Sequence, residues 1–286
     1  MTGRPMLILL AAVLPGLLRA QTTGNGEQAA TFLAAARTGT ARYQDRDAAI
    51  ADGYRAIGPD APGMGQHWVN PALVLGGRFD AARPQVLTYI MVGGRAQLVG
   101  VAYAIPTSGG RGAPNDPAGE SAWHYHAHTV DEESFLPDHH HAGEEPGSDT
   151  RVAVMHAWAW SVNPAGAFEP DNWALPFARM GMTPPPGAGS DEGKALSLAS
   201  VGKPFYQHLL SDLCGRDSVS AAATAAALEN RASLIGGWAE GRRGRALTAL
   251  EGAWLRSQWQ ALWEDIGRAA PALGSRLAAL DRSDPR

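Results

Sequence analysis

Val86-Leu-Thr-Tyr-Ile-Met-Val92, then Gly93-Gly94, then Gln97-Leu-Val-Gly-Val-Ala-Tyr-Ala-Ile105 is the stretch that sets the fold. β-Branched and aromatic side chains fit a pleated, half-buried surface. A glycine pair between two such runs supplies the positive φ angles of a tight hairpin. The sequence therefore predicts an antiparallel hairpin near the middle of the chain. Working outward, 123–130 (WHYHAHTV) alternates strictly and reads as a strand, and 151–162 (RVAVMHAWAWSV) reads as another. Gly/Pro/Asp-rich loops at 106–120 and 137–150 separate them.

The flanks read as helical. Residues 27–37 carry Phe32, Leu33 and Ala36 at helical spacing, and 40–57 carry Tyr43, Ile50, Tyr54 and Ile57 in the same way. Residues 184–203 hold Pro184-Pro-Pro186, glycines and serines, and read as a linker or surface loop. From Pro204 the chain turns helical again. Asp217 or Ser218 is a cap for 218–235, and Trp254, Leu255, Trp259, Leu262, Trp263 and Ile266 form an apolar stripe. The expected class is α+β: a mostly antiparallel sheet with N-terminal helices and a C-terminal helical tail. The expected organisation is a signal peptide at 1–20, an α+β domain with a histidine-rich site at 21–183, the linker or loop at 184–203 and a helical region at 204–286.

Composition narrows the function classes. The 286 residues carry 24 basic and 28 acidic side chains, a formal charge of -4, which argues against a nucleic-acid-binding footprint. A single cysteine excludes an internal disulfide, an all-cysteine zinc site and an iron–sulfur cluster held by this chain alone. Arg4, the apolar run from Met6 to Leu18 and the small residue Ala20 have the form of a secretory signal. The run is too short for a membrane span. The expected location is periplasmic or secreted, with no membrane span once the signal is removed.

Six of the nine histidines fall within 124–141, where even scattering would place fewer than one. On a strand, alternate side chains share a face with Cα atoms ~6.5–7 Å apart. His124 and His126 can therefore turn toward one ion, with further ligands arriving from elsewhere. His156, in the next strand, and His67, in Gly65-Gln-His-Trp-Val-Asn70, are the remote candidates. A lone buried histidine is more often a hydrogen-bonded core residue; it is the set that points to metal. Neutral imidazole suits copper or zinc. Met64, Met155, Met180 and Met182 add thioethers, which favour Cu(I). His128, Glu132 and Glu133 are candidates to orient the ligands from outside them, and Trp123, Trp158 and Trp160 to wall the pocket. His139-His-His141 reads as a polar surface loop.

Several motifs taken together carry a resemblance. They are Thr40-Ala-Arg-Tyr43 with Ala51-Asp-Gly-Tyr54, Met64-Gly-Gln-His-Trp-Val-Asn-Pro71, Leu98-Val-Gly-Val-Ala-Tyr103, Trp123-His-Tyr-His126, His156-Ala-Trp158 running into Asn163-Pro-Ala-Gly-Ala-Phe168, and Asn172-Trp-Ala-Leu-Pro176. Over roughly 40–180 the chain resembles a family of exported bacterial proteins to which no function is assigned. The resemblance implies that His67, His124, His126 and His156 occupy the family's histidine positions. Residues 127–150 are longer than the family pattern, so His139 to His141 do not carry over.

Three functions follow as expectations. The first is an exported transition-metal-binding protein with one mononuclear copper or zinc site. The second is a periplasmic metalloenzyme, an oxidoreductase or hydrolase, that takes a small-molecule ligand at an open metal position. The third is a structural or partner-binding protein whose histidines are core residues.

Overall fold

The computed structural model describes residues 26–107, 113, 122–126, 151–201, 206, 214 and 216–273. Helix α1 (Gly26–Thr40) leads through a 3-10 turn (Ala41–Gln44) to α2 (Arg46–Ala51). Six strands follow: β1 (Arg55–Ala61), β2 (Gly65–Val69), β3 (Val86–Val92), β4 (Arg95–Pro106), β5 (His124–His126) and β6 (Val152–Ala157). A short helix, α3 (Pro71–Gly76), separates β2 from β3. The strands form one curled antiparallel sheet in the order β1-β2-β3-β4-β6-β5. With helices before and after the sheet, the class is α+β, as the hydrophobic pattern requires.

The central hairpin forms as its glycines dictate. Val92 pairs with Arg95, and Gly93 and Gly94 both take positive φ, 56° and 79°. Only a residue without Cβ adopts two such angles in succession cheaply. The second predicted helix stops early. Asp45 caps α2 by accepting from the Asp47 amide, Gly53 at φ 99° ends it, and Ile57 lies in β1. Tyr54 and Ile57 fit a helical period, yet the left-handed turn at Gly53 redirects the chain. Strands β1 and β2 were not expected, because Arg55-Ala-Ile-Gly-Pro-Asp-Ala61 is built of poor strand formers.

One face of the sheet packs on the N-terminal helices. Phe32 and Ala36 of α1, with Ala49 and Tyr54, meet Trp68, Leu87, Tyr89, Val101, Tyr103, Met155 and Ala157. The rings of Phe32, Phe79 and Tyr103 lie 5.2–5.7 Å apart. Polar ends are satisfied here: the Tyr89 hydroxyl donates to the Tyr43 carbonyl, Tyr103 to Ala81, Tyr54 to Pro84, and the Trp160 indole to the Thr40 hydroxyl.

The helical half comprises α4 (Leu175–Arg179), α5 (Ser190–Ser200), α6 (Ser218–Glu240) and α7 (Ala249–Ala269). Asp217 caps α6 as expected, accepting from the amides of Val219 and Ser220. The expected stripe is buried in α7 at Leu255, Trp259, Leu262 and Ile266. The linker expected at 184–203 is a correction. Its second half is α5, whose residues Glu192 to Leu198 are buried against α6 and α7. Alanine, leucine and one buried glycine make a close-packing helix that the surrounding glycines and serines disguise. Gly193 touches the Trp173 backbone so closely that an added Cβ would lie 2.4 Å from its carbonyl oxygen. Phe177 of α4 joins this helical core, so helical packing begins before residue 184. Arg179, at the end of α4, donates to the Pro62 carbonyl at 2.8 Å and to the Asp60 carboxylate, clasping the β1–β2 hairpin to the helices. Among the described residues no helix is long and apolar enough to cross a membrane.

Candidate functional site

The opposite face of the sheet carries the histidines. Strand pairing fixes this, because directly paired residues of antiparallel strands point the same way. His124 pairs with Val154 and His126 with Val152, and His156 lies two residues beyond Val154. His156 pairs with Ala102, Ala102 with Val86, and Val86 with Val69, two residues beyond His67. All four histidines therefore share one face, opposite Met155, Leu87 and Trp68.

Sharing a face is not sufficient for contact. Strands β2 and β6 are three strand spacings apart, about 14 Å in a flat sheet. Yet the His67 and His156 rings are 5.5 Å apart. Two features close the gap. The sheet curls toward this face, and the residues between are small: Thr88 pairs with His67, and Gly100 pairs with Thr88. A Cβ on Gly100 would lie 3.0 Å from the Trp158 ring, so the ring occupies the space the glycine leaves. Continuing the chain of rings, His156 lies 5.5 Å from His124, and His124 lies 4.9 Å from His126. His124, His126 and His156 are 1 %, 7 % and 3 % exposed.

Imidazoles that share a tetrahedral ion, each nitrogen about 2.0–2.1 Å from it, have ring centres about 5 Å apart. The three consecutive separations lie close to that spacing. Among the described residues, however, no group of three or more His, Cys, Asp or Glu side chains is placed so that it could hold a metal ion as it stands. A shared ion would require the rings to turn about their side-chain bonds. Burial pushes the His67 imidazole down to about 4, so it is neutral at pH 7, the form that ligates metal. Its Nε2 is buried and has no hydrogen-bond partner among the described residues; the same holds for the Thr88 hydroxyl.

The three tryptophans expected around the pocket divide. Trp158 lies 6.1 Å from His156 and is anchored by its indole N–H, which donates to the Glu169 carbonyl. Trp123 and Trp160 belong to the other face: Trp123 stacks edge-on to Phe79, and Trp160 bonds Thr40. Strand parity explains Trp123, which is adjacent to His124 and so points away from it; Trp160 lies beyond the end of β6, where the alternation has stopped. The methionines take the commoner role of that residue, filling cores: Met64, Met180 and Met182 pack with the helical core, and Met155 lies on the aromatic face. His128, Glu132, Glu133 and His139 to His141 lie outside the described residues. The sequence reading passed over Thr88 and Gly100. Their signal was present: one threonine among apolar and aromatic strand residues, and one glycine within its partner, a common mark of close approach.

No family model matches this chain, and no curated protein or solved structure matches it. The resemblance to exported bacterial proteins therefore stands on its motifs alone.

Proposed function

We propose that the protein is an exported transition-metal-binding protein whose mononuclear centre is built from His124, His126 and His156, with His67 as the fourth member of the cluster. The observation that carries this reading is the unbroken series of ring separations, 5.5, 5.5 and 4.9 Å, from His67 through His156 and His124 to His126. Four imidazoles drawn from three strands of one concave face serve no evident packing need that leucine or valine would not serve better. With the methionines directed elsewhere, the donor set is nitrogen only, which suits zinc or Cu(II). Export is the part of this reading supported by the N-terminal 1–20 segment and by the resemblance.

Metal analysis tests the reading. The chain lacking residues 1–20, purified without a histidine tag and supplied with copper and zinc, is expected to hold about one equivalent of metal. The double variant His124→Ala/His126→Ala is expected to hold none, and replacement of His139 to His141 is expected to change nothing. Less than ~0.2 equivalents in the unaltered chain, with copper and zinc supplied in excess, overturns the metal reading.

A further inference from the structure

We infer that Thr88 and His67 together form the seat of a small exchangeable ligand facing the metal, so that His67 stands beside the ion and not on it. This inference rests on the metal centre proposed above and adds to it a fourth, open position and the groups that read its occupant.

Thr88 is 1 % exposed, and its hydroxyl has no hydrogen-bond partner among the described residues. The His67 Nε2 is in the same condition. These two atoms belong to directly paired residues on the histidine face. Cross-strand neighbours place their Cβ atoms ~4.5–5.5 Å apart. Two buried polar groups left without a partner on directly paired residues are costly, and folded proteins rarely keep such groups without a water or ligand to meet them.

The surroundings orient the pair. Gly65 and Gly100 flank it, and their neighbours close in on both: the Trp158 ring fills the space beside Gly100, and a Cβ on Gly65 would lie 2.7 Å from the Tyr89 carbonyl oxygen and 3.0 Å from the Thr88 methyl. The Thr88 methyl is therefore the group that faces Gly65, which turns its hydroxyl away from that side. Next along the face stands His156, whose ring is 5.5 Å from His67 and 5.5 Å from His124. A threonine hydroxyl is not among the donors that ordinarily bind zinc or copper, but it both donates and accepts hydrogen bonds. Beside a neutral imidazole, it can hold either a water or a small anion. The ligand class is thus a compact oxygen or nitrogen donor, a water or a small anion.

Azide is the probe. Protein loaded with Cu(II) is titrated with azide, and the charge-transfer absorption reads its binding. Thr88→Val is isosteric and removes only the hydroxyl. It is expected to keep one equivalent of copper and to bind azide about tenfold more weakly, the effect of one lost hydrogen bond. Thr88→Ser, which restores the hydroxyl, is expected to recover most of the affinity. His67→Gln is expected to keep the metal. Equal azide affinity in wild type and Thr88→Val overturns the inference, as does loss of copper from His67→Gln, which makes His67 a ligand. Absence of azide binding to copper-loaded wild type overturns it as well. Each of these leaves the metal centre standing, whereas failure of the unaltered chain to take up any metal removes the centre itself. If valine proves poorly tolerated, Thr88→Ala against Thr88→Ser makes the same comparison, with and without the hydroxyl, and equal azide affinity in the two overturns the inference.

Discussion

The two faces of one sheet are built on different rules. On the face toward α1, buried tyrosine hydroxyls and the Trp160 indole each have a partner, and the rings between them interlock. On the opposite face, made by the alternate residues of the same strands, four imidazoles gather over small side chains, and two neighbouring polar atoms stay open. Satisfied polar groups in tight packing are what stability alone produces. Open polar groups beside small residues are what a binding site requires, and they lower stability. The aromatic face holds the fold, and the histidine face carries the proposed site.

The largest expected effect lies on the aromatic side. Tyr103→Ala removes a fully buried ring and strands the Ala81 carbonyl, and is expected to cost about 3–5 kcal/mol in urea denaturation. If it costs no more than a substitution on the histidine face, the division of labour fails. Next is Gly100→Ala. The new methyl would meet Trp158 at 3.0 Å and the Ala157 carbonyl at 3.3 Å, so a loss of about 1–3 kcal/mol is expected from overpacking. Weaker metal uptake should accompany it, because Trp158 must shift beside His156. A neutral outcome in both measurements would mean that the glycine is not holding space.

The smallest effect is a pH dependence. His67 ionises at about 4 in the folded chain against an ordinary value of 6.5. Between those values the unfolded chain binds the extra proton. The stability that His67 contributes as a neutral ring is therefore complete above pH 6.5 and is lost as pH falls toward 4. The metal-free protein should lose on the order of 1 kcal/mol between pH 6.5 and 5.5 from this residue. His67→Gln should flatten that part of the profile. An unchanged slope in the variant would show that His67 meets water in the folded state.

The sequence disclosed the sheet and the histidines unequally. The β3–β4 hairpin was legible because strand propensity and turn chemistry agreed over 86–105. His124, His126 and His156 were legible because alternation and pairing follow from the strand period. The joining of His67 to them was legible only as a guess, since it depends on a curl that brings β2 within reach of β6 across two intervening strands. Strand β1 was hidden by its glycine, proline and aspartate, and α5 by its polar neighbours. Both are placed by tertiary contacts that no local propensity records. Trp123 was misassigned by proximity in sequence, since its parity already directed it to the other side; Trp160 shares the parity of His156 but lies past the end of β6, where alternation no longer holds.

The Arg179 clasp has a consequence for the centre as a whole. Its guanidinium holds the backbone at Pro62 and the side chain of Asp60, on the strand pair that carries His67. His124, His126 and His156 hang instead from β5 and β6, at the far margin of the sheet. The imidazoles thus have two separate moorings, and Arg179 ties the one on the β1–β2 pair to α4. Any small tilt of that helix would be felt as a change in the gap between His67 and its three companions, with Arg179 as the lever arm.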